Sequence, residues 1–282
     1  MKIPSSNGKS GSLLSRAALA FPIAFYSLIS LILIVLTFVS ALKSDADFYA
    51  NPIGLPSRWI FANFEKAWVN ANFSLYFKNS IIITALSLVF ILIVSSMAAY
   101  AIARFKYKLG GMAYIYFMLG FMFPLQLYVL PMFLLERSLG LLNSYAGLIV
   151  TYTATAQSFS IFLMVGFFRT LPVELEEAGR LDGASDFKIF RSVMMPLSAP
   201  ILTTVAILNL VGIWNDFFLP LVFIQSNELR TVPLGLISFY GQYNSNYPML
   251  FAALAISIVP IAVAYMLSAK TFVKGMVSGA IK

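Results

Sequence analysis

The chain has 282 residues, of which 60% are hydrophobic and 11% charged, where an ordinary soluble domain carries about 25% charged residues. It contains no cysteine and no histidine, which excludes disulfides, thiolate chemistry, histidine triads and histidine metal sites. The net charge of +8 comes from basic residues scattered among short segments, so no nucleic-acid patch and no nucleic-acid partner are expected.

In chain order, residues 1–17 read as a polar tail containing Gly8 and Gly11. The uncharged run that follows, 17–42, is longer than the apolar core of about 7–15 residues in a cleaved signal peptide, and reads as a retained helix. Further charge-free runs cover 79–103, 109–135, 138–168, 192–215 and 231–269. A membrane span needs roughly 20 apolar residues, so each run holds one. The predicted fold is all-α, with six transmembrane helices near 18–42, 79–103, 112–134, 145–168, 201–223 and 248–270. Residues 18–282 then form one transmembrane domain. Lysine and arginine set its orientation. With the N-terminus inside, thirteen basic residues fall on the inner segments and six on the outer ones, which places both termini in the cytoplasm.

Polar residues inside the spans are candidates for a path. Gln126 and Tyr128 lie between Pro124 and Pro131 in the third span. They mark either a broken helix beside a transport site or a kinked packing helix. The fourth span carries two polar stripes, Thr151, Thr155, Ser158 and Thr153, Gln157, Ser160. Such residues either join helices or line a pore. Asp216 is the one carboxylate in a predicted span, with Asn209 on the same face and Trp214 and Asn215 beside it. A carboxylate there costs roughly 2.5–3.5 kcal/mol on insertion scales. It either lines a path with these polar and aromatic neighbours or pairs with a neighbouring helix.

The stretch 169–196 is dense in charge. Thr170 is placed to cap a helix, and Pro172 suits its first turn. Glu174, Glu176 and Glu177 favour the positive end of the helix dipole. Leu171, Leu175, Ala178 and Leu181 recur on one face, and Gly183 is placed to end the helix. A second short helix begins at Ser185 or Asp186, with Phe187, Phe190 and Val193 or Met194 on its apolar side, and Pro196 stops it. Five carboxylates offset four nearby cations, so an anionic membrane surface attracts this segment weakly. A protein partner whose arginines pair with the carboxylates suits it better than an interfacial or linker role.

The run from Glu177 to Pro196 resembles the E-A-A-x3-G-x9-I-x-L-P signature of ABC-importer permeases. Glu177, Ala178, Gly183 and Pro196 match, while Gly179, Val193 and Met195 stand in for alanine, isoleucine and leucine. "LEEAGRLDGAS", "WNDFFLPL" at 214–221, "RTVPLGL" at 230–236 and "GMVSGAIK" at 275–282 are similar to the carbohydrate-uptake branch, the maltose-type inner permease. The resemblance implies a permease subunit of an ATP-driven sugar importer in a bacterial or archaeal cell membrane. Residues 170–195 would be cytoplasmic coupling helices between helices four and five. Glu176, Glu177, Ala178, Gly179, Asp182, Gly183, Ala184 and Phe187 would then dock on an ATPase subunit. The implied partners are a homologous second permease, two ATPase subunits and an extracytoplasmic sugar-binding protein, besides membrane lipid. The chain has no Gly-x4-Gly-Lys-Ser/Thr loop, so ATP and magnesium are expected on the ATPase and no cofactor on this non-catalytic subunit. An ion-coupled secondary transporter is the alternative, thinly supported by one aspartate.

Overall fold

A computed structural model describes residues 13–105, 108–237, 239 and 246–280. The first twelve residues of the expected tail, with both of its glycines, and the last two residues of the terminal motif lie outside the described residues. The described chain is helical throughout, without strands. Among the described residues four helices are long and apolar enough to cross a membrane, and two bent helix pairs raise the number to six if each pair is one span.

Helix α1, Leu13–Ala41, is apolar and largely exposed from Ala20 to Ala41, as suits a helix surrounded by lipid. Residues 42–72 fold back over its end. Ser44 caps the short helix α2, Asp45–Ala50, by accepting from the Asp47 N–H. Lys43 is buried and donates its Nζ to the carbonyls of Asn51 and Pro52 at the far end of α2. Asn63, in α3 (Ala62–Glu65), donates to the carbonyls of Ala41 and Lys43.

The spine is α4, Phe73–Arg104, packed along α7, Tyr145–Phe168. The buried face of α4 includes Ser80, Thr84, Ser87, Ser95 and Ser96. Small hydroxyl residues let two backbones approach closely in lipid. Ser95 donates to the Ile91 carbonyl of its own helix and Ser96 to that of Ile93, so neither leaves its hydroxyl without an acceptor.

The expected third span is not one helix. It consists of α5, Lys108–Met122, and α6, Leu125–Ser138, meeting at 104°. Pro124 lacks an N–H, and its ring pushes Phe123 away from helical geometry. Pro131 sits inside α6 without breaking it.

After α7 come α8, Glu174–Leu181, α9, Asp186–Ile189, and a π turn at Phe190–Met194 leading into α10, Met195–Leu197. Two local expectations are corrected. Thr170 does not cap α8; its hydroxyl donates back to the Phe167 carbonyl, and Val173 occupies the cap position with no side-chain bond. Pro196 does not end the second helix; the chain turns by 74° at the buried Ser198, before α11, Ala199–Asn215. The expected fifth span is also cut. Helix α11 ends at Asn215, and α12, Phe218–Phe223, starts afresh. Helix α13, Val232–Leu236, packs against α4, and α14, Tyr247–Ala280, closes the bundle against α1 and α11.

Candidate functional site

Two regions collect the polar residues that sequence reasoning singled out. The first is the α8–α9 pair. Gly183 has φ +77°, a conformation that glycine adopts freely. The N–H groups of Gly183 and Ala184 reach back to the carbonyls of Arg180 and Gly179, both at 3.0 Å. This paired pattern closes α8 and redirects the chain. Ser185 then caps α9 by accepting from the Lys188 N–H. Gly179 lies against Ile189, and a Cβ there would come within 3.0 Å of Ile189 Cγ1. Glycine at this position therefore sets the close packing of α8 on α9, a role the sequence did not reveal.

The two faces of α8 are chemically distinct. Val173, Leu175, Glu177, Ala178, Leu181 and Asp182 are turned outward, and Leu181 is 89% exposed. Phe187 at the start of α9 is 63% exposed. The Arg180 guanidinium bridges the two helices by donating to Asp186 at 3.1–3.2 Å on the open side. Inward, Ile189, Phe190 and Met194 join Tyr100, Phe168 and Ile201 in a buried cluster. Glu176 belongs to the inner face and stands apart from the other residues assigned to docking. Its side chain is 3% exposed, and its Oε1 lies 2.8 Å from Arg104 Nε.

The second region is a pair of cavities around the α5–α6 bend and the α11–α12 break. One, of about 550 Å³, lies between Gly120, Tyr128 and Met132 on one side and Thr155 and Ser158 on the other. The other, of about 400 Å³, is bounded by Tyr152, Thr155, Asn209, Gly212, Asn215 and Asp216. Thr155 borders both. Asp216 accepts from the Tyr152 hydroxyl at 2.8 Å, and from the backbone N–H groups of Phe218 at 2.9 Å and Leu219 at 3.3 Å. The carboxylate thus caps α12 while bordering the cavity, which offsets the cost of placing it among apolar helices.

Asn209, Asn215, Asp216 and Tyr128 therefore line cavities, as do Thr155 and Ser158 of the first α7 stripe. Three other candidates do not border these two cavities. Trp214 is buried, donates its Nε1 to the Ser257 carbonyl at 3.1 Å and packs edge-on against Phe77. Gln157 is buried and donates to the Thr153 carbonyl, and Gln126 is exposed. Within the second stripe Ser160 joins α7 to α11 by accepting from Asn209 Nδ2 at 3.1 Å, whereas Thr153 and Gln157 donate to carbonyls of α7 itself. Sequence reasoning overlooked Tyr152, whose phenol only acquires a partner once α11 is broken at Asp216. It also overlooked Glu136, a buried carboxylate at the end of α6 that accepts from the Thr151 hydroxyl.

Residues 91–278 match the family described as "Binding-protein-dependent transport system inner membrane component". The chain is 38% identical over 244 residues to the probable ABC transporter permease protein YurM of Bacillus subtilis, covering 86% of this chain and 81% of that protein. It is 34% identical over 242 residues to the diacetylchitobiose uptake system permease protein NgcG of Streptomyces coelicolor, covering 85% and 80%. With the arabinooligosaccharides transport system permease protein AraQ of Halalkalibacterium halodurans it shares 32% identity over 270 residues, 94% of each chain. In fold it resembles a chain of a bacterial ABC transporter involved in the import of the acidic polysaccharide alginate. The TM-score is 0.81 at 24% sequence identity, over 93% of this chain and 99% of that one.

Proposed function

This chain belongs to the family of binding-protein-dependent transport system inner membrane components, and from that membership we propose that it is the permease subunit of an ATP-driven sugar importer. The family membership and the apolar helices make it a multi-pass cell-membrane protein. In the proposed arrangement the bent α5–α6 pair forms the third span and α11 lies in the fifth, which gives six, and both termini and the α8–α9 pair lie in the cytoplasm. The relatives carry names from diacetylchitobiose and arabinooligosaccharide uptake, which favours an oligosaccharide as cargo. A homologous second permease, two ATPase subunits and an extracytoplasmic sugar-binding protein complete the assembly. ATP and magnesium bind to the ATPase subunits. The cavities bordered by Thr155, Asn209 and Asp216 form this chain's part of the sugar path.

One observation carries the reading. Helix α8 turns its apolar residues Val173, Leu175 and Leu181 outward beside Glu177 and Asp182, while its Glu176 face is anchored inside. A helix that exposes an apolar stripe rimmed by carboxylates presents a docking surface to a groove with apolar walls and a basic edge. The test is Glu177→Lys in the complex co-expressed with its ATPase subunits. The expected outcome is loss of the ATPase on co-purification while the permease still accumulates in the membrane. Full retention of the ATPase would refute docking through this face.

A further inference from the structure

Arg104 is the last residue of α4. Its Nε lies 2.8 Å from Glu176 Oε1, and its Nη2 donates to the Leu171 carbonyl at 2.8 Å. One guanidinium thus holds both α8 and the segment leading into it. The side chains of Arg104 and Glu176 are 6% and 3% exposed. Among the described residues the other ion pair, Arg180–Asp186, lies in the open.

The opposite end of α4 is fixed in the same manner to a different part of the chain. Asn79 Nδ2 donates to the carbonyls of Glu228 and Arg230, each at 2.8 Å, and Asn79 Oδ1 accepts from the Tyr145 hydroxyl at 2.7 Å. Ser80 Oγ accepts from the Val232 N–H at 2.8 Å. The Tyr76 ring fills the space over Gly235, where a Cβ would overlap it. From Asn79 to Arg104 is about 37 Å at 1.5 Å per residue. Helix α4 contains neither proline nor glycine, whereas α1, α6, α11 and α14 each contain proline and α7 contains glycine.

We infer that the Arg104–Glu176 pair is a transmission latch. It makes α4 a rigid lever that carries displacement of α8 to the segment 228–235 at the far end. The inference rests on the docking role proposed for α8. It adds that the force enters the bundle through this contact and not through the chain connection at 169–173 alone. Arg104 and Glu176 are positioning residues; with Asn79 and Ser80 at the other end, α4 is one stiff element anchored at two points, and a rigid element of this kind can carry coupling between distant sites.

The experiment uses the complex of this permease with its second permease and ATPase subunits. Asn227→Cys provides a unique thiol in this subunit, because the chain has no cysteine, and Asn227 is exposed at the far end of α4. A membrane-impermeant maleimide is reacted with it in the nucleotide-free state and after ATP, magnesium and vanadate. Glu176→Gln and Arg104→Gln should keep the ATPase on co-purification and reduce the nucleotide-dependent change in labelling rate by about fivefold or more. Glu174→Gln, on the exposed side of the same helix, should leave that change intact. A further variant spares the latch. Val89→Gly with Ile93→Gly softens α4 at two outward-facing positions and should give the same loss with the ATPase still bound. If the double-glycine complex, or an assembled Glu176→Gln complex, keeps the full labelling change, the lever is overturned. Retention of the ATPase by Glu177→Lys would instead overturn the docking role, so the two failures are distinct.

Discussion

Removing the Asp216 carboxylate is the sharpest probe of the broken fifth span. Asp216→Ala deletes the acceptor for the Phe218 and Leu219 N–H groups, at 2.9 and 3.3 Å, and for the Tyr152 hydroxyl at 2.8 Å. Loss of the helix cap costs about 1 kcal/mol. Tyr152 is buried, so stranding its hydroxyl adds about 1–3 kcal/mol. The expected destabilisation is therefore about 2–4 kcal/mol. Asp216→Asn keeps an acceptor for Phe218, and the Tyr152 hydroxyl can reverse to accept from the new amide, so its cost is about 1 kcal/mol. Tyr152→Phe alone should cost about 1 kcal/mol, and the double mutant with Asp216→Ala should reveal a coupling of about 1–2 kcal/mol. The assay is reversible unfolding in mixed detergent and SDS micelles, followed by tryptophan fluorescence. If Asp216→Ala lies within about 0.5 kcal/mol of the parent, or shows no coupling to Tyr152→Phe, the capping argument fails. A substrate role predicts a different signature, in which Asp216→Asn lowers uptake well beyond its small effect on stability.

Two glycines give further predictions. Gly183→Val places a β-branched residue at φ +77° with open space around it; the conformational cost of about 1–2 kcal/mol should appear as weakened ATPase co-purification with little change in the detergent unfolding midpoint. Gly235→Ala drives a methyl into the Tyr76 ring, and the resulting overpacking should lower stability by about 1–3 kcal/mol in the same unfolding assay, largely relieved by Tyr76→Leu.

The long elements were legible because their cause is local. Charge-free runs located four long helices, with the expected starts at 145 and 248 close to the observed Tyr145 and Tyr247 but those at 18 and 79 several residues inside helices that begin at Leu13 and Phe73, and glycine at 183 marked a left-handed stop. The interruptions were not legible from hydropathy, which does not register a bend. Phe123 and Pro124 are both apolar, so a hydrophobicity window runs through a 104° corner without a signal. The corner was announced only by the proline and by polar Gln126 and Tyr128 after it. Glu176 and Glu177 illustrate a second limit. They are adjacent and chemically identical, but one helical step is about 100°, so they face different surroundings. Which one turns inward depends on Arg104, seventy-two positions earlier on another helix. Nothing in the local pattern of 174–181 encodes that partner.

The interruptions are not distributed evenly, and their placement has a physical logic. A broken helix in lipid leaves backbone donors and acceptors without partners, and such backbone is tolerated where it is buried in protein or borders a cavity. Here the α5–α6 corner and the α11–α12 break flank the two cavities that share Thr155. At one break proline removes a donor; at the other Asp216 supplies acceptors for two freed N–H groups. The spine between them behaves in the opposite way. Helices α4 and α7 are continuous, and hydroxyls such as Ser95, Thr153 and Thr155 donate to carbonyls of their own helix. Those side chains leave no unmet polarity at the helix contact. In an otherwise apolar bundle the two cavities therefore lie where the helices break, while the unbroken pair supplies a continuous frame beside them.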